Sequence, residues 1–188
     1  HPSDLLILAG RPSMGKTALA TNISFNAAKA YREVVDEFGR KKVVDGAVVA
    51  FFSLEMSAEQ LATRILSEQT GIPSHKIRQG ELSAEDFTSL VAASQELQRL
   101  KLYIDDTPAL TVSAVRTRAR RLARTHGLGM IVIDYLQLLR ASAGSKQENR
   151  VQEISDITRN LKALAKELSV PVLALSQLSR AVEQREDK

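Results

Sequence analysis

The eight residues GRPSMGKT, Gly10 to Thr17, constrain this chain more than any other stretch. They follow the apolar run LLILA (5–9) and precede ALATNISFNAAKAY (18–31), which reads as a helix. Strand, glycine loop and helix in that order form the setting of a phosphate-binding loop, G-x-x-x-x-G-K-[ST]. Gly10 and Gly15 let the chain curl so that successive N–H groups point inward. The helix starting near Lys16 adds the positive end of its dipole. In such a loop Gly10, Arg11, Pro12, Ser13, Met14, Gly15, Lys16, Thr17 and Ala18 wrap the phosphates. Lys16 reaches the β- and γ-phosphates, and the Thr17 hydroxyl ligates a magnesium ion.

The rest of the chain alternates strands with helices. Strands are predicted at Leu5–Ala9, Ala47–Leu54, Leu102–Asp105, Met130–Asp134 and Val170–Ser176, and helices near 16–31, 57–70, 83–100, 111–126 and 149–168. The strands are continuously apolar, so both faces of the sheet should be covered. Alternation of this kind predicts an α/β fold with a mostly parallel central sheet and helices on both faces. Glu33–Gly46 (EVVDEFGRKKVVDG) and Ala141–Asn149 (ASAGSKQEN) read as loops.

Ligands of such sheets bind at the carboxyl ends of the strands, so the residues there carry the chemistry. Met130–Asp134 (MIVID) is four apolar residues and an acid, the form that holds magnesium beside a phosphate loop. Ala47–Leu54 ends in Glu55, followed by Ser57-Ala-Glu-Gln60, a helix capping box. The box explains Ser57 and Gln60 but leaves Glu55 without a structural task. A charge at the end of a hydrophobic strand is costly, so Glu55 is predicted to polarise the water that attacks the γ-phosphate. Gln177 follows Val170–Ser176 and reads equally well as a γ-phosphate-sensing amide or a loop glutamine. Asp105-Asp106, followed by Thr107-Pro108, is explained by turn and helix-start chemistry. His1, His75 and His126 are isolated, and no metal site beyond magnesium is expected.

The net charge of +4 is unevenly distributed. Residues 1–110 hold 12 basic and 14 acidic side chains, and residues 111–188 hold 14 and 8. A basic second half suits a polyanion such as nucleic acid, although solvated helix faces explain Arg116, Arg120 and Arg124 equally simply. The stretch Arg140–Arg150, with Lys146 inside it, follows the magnesium strand directly and is the better candidate for a nucleic-acid contact. Only 4% of residues are aromatic, which favours backbone tracking over base stacking. No cysteine is present, as suits a reducing cytoplasm, and no apolar run approaches the roughly 18 residues of a membrane span. The chain opens His1-Pro2 and reads as a piece of something longer.

Taken in order, GRPSMGKT, FFSLEM, GMIVIDYLQLL and LALSQLSR closely resemble the ATPase domain of bacterial replicative DNA helicases, the DnaB family. HPSDLLILAG, YIDDTP and NRVQEISDITRNLKALAKEL are similar to family segments too. The resemblance covers nearly the whole chain except Glu33–Gly46, which is expected to be a surface insertion (33–46). It implies a single RecA-like P-loop NTPase domain that uses ATP and Mg2+. It implies 5′-to-3′ translocation on single-stranded DNA and unwinding by a cytoplasmic homohexamer served by a primase and a helicase loader. By motif position, Lys16 and Thr17 are then the phosphate-loop pair and Glu55 the catalytic glutamate. Asp134 becomes the magnesium acid, Gln177 the γ-phosphate sensor, and 140–150 (Arg140, Lys146, Arg150) a DNA-facing loop. The family's second DNA-binding loop and arginine finger are expected to lie after Lys188. A RecA-like recombinase and a clock-type ATPase of the same fold are the alternatives.

Overall fold

The computed structural model describes residues 1–12, 15–141 and 150–178. Five parallel strands form the main sheet: β1 (Leu5–Gly10), β4 (Val49–Ser53), β5 (Leu102–Asp105), β6 (Met130–Asp134) and β7 (Val172–Gln177). Their spatial order is β1-β7-β6-β4-β5. This is the α/β arrangement with a parallel sheet that the alternation of elements predicts, with the boundaries of the expected elements within two residues of expectation.

Side-chain alternation along the strands divides the core in two. Val49 and Phe51 of β4 point to one face, with Val132 of β6 and Leu173 and Leu175 of β7. There they meet Ala20, Phe25 and Ala28 of α1 (Lys16–Lys29) and Leu61 and Ile65 of α2 (Ala58–Thr70). Ala50, Phe52, Ile131, Ile133, Val172 and Ala174 point to the other face. They meet Val112, Val115 and Ala119 of α5 (Val112–His126) and Ile157, Leu161, Leu164 and Ala165 of α6 (Arg150–Leu168). The short α3 (Ser74–Gln79), absent from the sequence reading, and α4 (Ala84–Arg99) pack against α2 outside the sheet.

Two expectations change. The first strand is not buried: Leu6 is 51% and Ile7 45% exposed. Within the described sheet β1 lies at the edge, paired only to β7. Its Leu8 joins the α1-side core and its Leu5 the α6-side core, while Leu6 and Ile7 stay outside both. Second, Glu33–Gly46 is a β-hairpin rather than a loop: β2 (Arg32–Val35) and β3 (Lys41–Asp45) pair antiparallel as a separate two-stranded sheet. The Asp36 carboxylate accepts from the N–H groups of Phe38 and Arg40 at 2.9 and 2.8 Å and closes the turn. The β-branched pairs Val34-Val35 and Val43-Val44 carry the strand preference, which the charges between them conceal.

Candidate nucleotide site

Strand register assembles the site. Gly10 at the end of β1 lies opposite Gln177 at the end of β7, and Ser53 at the end of β4 lies opposite Asp134 at the end of β6. The carboxyl ends of these strands therefore lie on one side of the sheet, with β7 running on to Gln177 past its last pair with β6, Ala174 opposite Ile133. A cavity of about 860 Å3 opens there and is lined by Pro12, Gly15, Lys16, Thr17, Ala18, Glu55, Asp134 and Gln177 among others. Gly10 and Arg11 face Lys16 through their carbonyls instead of lining the cavity. Ser13 and Met14, read as phosphate-binding, lie outside the described residues.

Each side chain has a local cause for its place. Gly15 caps α1 with φ +75°, the left-handed region that glycine adopts without a Cβ penalty. Gly10, by contrast, is an ordinary residue of β1, and its role is the register with Gln177. Lys16 opens α1 and its ammonium donates to the Gly10 carbonyl and, at 3.3 Å, to that of Arg11. One residue on, the Thr17 hydroxyl donates to Asp134 Oδ2 at 2.9 Å. Asp134 is only 3% exposed. Burial is the main cause holding its carboxyl above the ordinary aspartate range. The hydrogen bond from Thr17 opposes that shift, the Glu55 charge adds to it, and Arg64 and Lys16 oppose it.

Glu55 stands in a corner held by two bonds: the Leu54 N–H donates to the Asp134 carbonyl at 2.9 Å, and the Ser53 hydroxyl to the Met56 carbonyl at 2.8 Å. It is exposed, which corrects the argument from the cost of a charge at a strand end. Its case rests on sharing the cavity with Lys16, Thr17 and Asp134. The capping box forms as expected. Ser57 Oγ accepts from the Gln60 N–H at 3.1 Å, and Gln60 Oε1 accepts from the Ser57 N–H at 3.0 Å. Gln60, Arg64 and Ser67, at helical spacing on α2, form a further wall that sequence reasoning missed. The cap accounts for Gln60 locally, and only the 3.6-residue period carried on from it would have marked Arg64 and Ser67 as its neighbours.

Magnesium needs hard oxygen donors and keeps several positions for phosphate and water. The Thr17 hydroxyl and the Asp134 carboxylate supply such a pair beside Lys16, and the residues fit the ion. Among the described residues no cluster of three or more His, Asp or Glu offers a further metal site.

The remaining charged residues are placed as follows. Asp106 Oδ2 accepts from the Ala58 N–H at 2.8 Å and thereby caps α2. Asp105 accepts from the Thr107 N–H at 3.0 Å and from Arg118 at 2.6 Å. On α5, Arg116 and Arg120 both pair with Glu167 of α6. Of the three residues read as DNA-facing, Lys146 lies outside the described residues. Arg140 is exposed, its main chain bridged to Thr111 ahead of α5. Arg150 donates to Glu153 and to the Gln137 carbonyl.

Residues 1–188 match the family described as DnaB-like helicase C terminal domain. The replicative DNA helicase DnaB of Rickettsia felis is 56% identical over 191 residues, which cover 100% of this chain and 37% of that protein. The replicative DNA helicase DnaB of Geobacillus stearothermophilus is 53% identical, with 99% and 38% covered. The chain thus spans a little over a third of the length of these relatives. Among solved structures, one described as an ATPase domain superposes with a TM-score of 0.81 at 34% identity, over 99% of this chain and 61% of that one. A DnaB-like replicative helicase, described with its interactions with primase, superposes at 0.78 and 34% identity, over 99% and 41%.

Proposed function

This chain belongs to the DnaB-like helicase C-terminal domain family, and from that premise we propose that it is the ATP-hydrolysing motor domain of a ring-shaped replicative helicase. The motor translocates on single-stranded DNA and unwinds duplex. One observation carries the nucleotide part: strand register brings Lys16, Thr17, Glu55, Asp134 and Gln177 to a single cavity.

In this reading the loop N–H groups and the ammonium of Lys16 hold the β- and γ-phosphates of ATP. Thr17 and Asp134 hold magnesium, which when bound neutralises charge on the phosphate oxygens. Glu55 orients a water and takes its proton as the water oxygen bonds to the γ-phosphorus. The bond from that phosphorus to the β–γ bridging oxygen breaks, and ADP leaves with the electron pair. Gln177 contacts the γ-phosphate and registers its loss. The stretch 140–150, with Arg140 and Lys146, tracks the DNA backbone. The working protein is a cytoplasmic homohexamer that meets primase and a helicase loader through parts beyond this domain. Neither the recombinase nor the clock-type alternative has a feature here in its favour.

The test is strand displacement by the full-length protein on a forked duplex carrying a 5′ single-stranded tail. ATP-dependent unwinding that Lys16→Ala abolishes is the expected result. ATP turnover without displacement or movement on DNA would overturn the motor reading and leave a nucleotide hydrolase.

A further inference from the structure

Gln137 lies three residues after Asp134, in a 3₁₀ turn (Leu136–Leu138). Its carboxamide reaches the tip of β7. Nε2 donates to Ser176 Oγ at 2.9 Å and to the Gln177 carbonyl at 3.0 Å, and Oε1 accepts from the Gln177 N–H at 3.2 Å. A main-chain N–H on one side and a carbonyl on the other permit one orientation of the amide.

The bonds have a structural reason. β6 pairs with β7 only as far as Ile133 opposite Ala174. β7 continues to Gln177, with β1 alone along its other edge. The Gln137 side chain therefore takes the place of the sheet bonds that β6 no longer offers. On its own main chain, the Gln137 carbonyl accepts from Arg150, the first residue of α6. One residue thus joins the turn after Asp134, the main chain of Gln177 and the start of α6.

We propose that Gln137 is a positioning residue that locks Gln177 to the first turn of α6, so that the nucleotide cavity and the end of the 140–150 stretch shift together. The proposal rests on the functional reading above, in which Gln177 meets the γ-phosphate and 140–150 meets DNA. A shift of Gln177 on phosphate release pulls on the Gln137 amide, and the Gln137 carbonyl carries that pull to Arg150.

The experiment measures ATP affinity, kcat and KM of the full-length protein with and without saturating oligo-dT. It compares wild type, Gln137→Ala, Gln137→Glu, Gln177→Ala and the Gln137→Glu/Gln177→Ala pair. Gln137→Glu retains the acceptor for the Gln177 N–H and sets a second oxygen against the Gln177 carbonyl. Both Gln137 variants are expected to bind MgATP within about twofold of wild type and to lose DNA stimulation of kcat by about tenfold. In the double variant the losses do not multiply, because both changes cut one chain of contacts. Undiminished stimulation, or losses that multiply, overturns the proposal. A Gln137→Glu protein that melts early and binds no nucleotide also overturns it, by making Gln137 a stability residue alone. Should Gln137→Ala not fold, Gln137→Glu decides. A wild-type protein without turnover or DNA stimulation would sink the functional reading itself, a separate outcome.

Discussion

Glu55 and Asp134 share one cavity and differ in burial, which gives each its own test. Glu55 is exposed and only its position ties it to the reaction, so Gln, which keeps shape and loses the base, isolates that role. Glu55→Gln in the full-length protein is expected to bind ATP within about twofold of wild type and to lose about 10²–10⁴ in kcat. Matching losses in equilibrium binding and turnover would assign Glu55 to structure. Asp134 is buried, and burial, aided by Glu55, raises its titration. An acid that titrates higher when folded binds its proton more tightly in the native state. Ionising it therefore costs stability. That cost is absent below about pH 4, grows as the pH rises through the ordinary aspartate range, and is complete above the raised native value. Asp134→Asn removes the cost and keeps an acceptor for Thr17. The nucleotide-free Asn variant should be more stable than wild type at neutral pH by up to about 1 kcal/mol, the difference closing near pH 4. It should also lose magnesium-dependent nucleotide affinity. A lower melting temperature at neutral pH would show that the bond from Thr17 outweighs the burial of the charge.

At the scale of elements, the hairpin β2–β3 and its base behave oppositely. The hairpin forms no part of the main sheet, and Val35, Phe38 and Val43 are exposed, Phe38 by 72%. Its base is tight: a Cβ on Gly46, at φ +62°, would stand 2.3 Å from the Tyr31 nitrogen and 2.4 Å from the Ala27 oxygen. Replacing 33–45 by a short Gly-Ser link is therefore expected to change stability by about 1 kcal/mol or less, a shift of about 2–4 °C in Tm. Gly46→Ala should cost more than about 2 kcal/mol. If excision proved the more damaging change, the hairpin would be part of the folding core. The contrast explains what was legible in the sequence. β4, β6 and β7 were readable because burial on both faces leaves an unbroken apolar run. β1 has the same composition, but apolarity does not report whether a strand lies inside the sheet or at its edge, and Leu6 and Ile7 are exposed on an edge strand of the described sheet. The capping box at Ser57 and the acid after MIVID were legible because their partners lie at fixed offsets along the chain. The Gln137–Gln177 contact joins residues 40 apart through register, which no local pattern encodes.

For the whole molecule, the surplus of basic residues after position 110 predicts a polyanion partner, but most of the α5 charge is already committed. Arg116 and Arg120 pair with Glu167, and Arg118 with Asp105. Three of the five α5 arginines thus already face a carboxylate, and α5 offers a nucleic acid less charge than its arginine count suggests. Arg140 differs: its side chain has no ion pair among the described residues, and it stands exposed where the 140–150 stretch begins. Affinity for single strands falls with salt by a log–log slope of roughly −0.7 per phosphate neutralised. If Arg140 contacts the strand, Arg140→Ala in the full-length protein should make the slope shallower by about 0.7 for each subunit engaged. Arg120→Ala should leave the slope within error, because removing a residue already paired to Glu167 releases no counterion from DNA. Oligo-dT titrations by fluorescence anisotropy at several potassium concentrations measure both. The reverse pattern, with Arg120 changing the slope and Arg140 not, would move the strand from the start of the 140–150 stretch to the α5–α6 face. It would also remove the short path that Gln137 provides between phosphate and strand, because α5 touches the nucleotide cavity through none of its side chains.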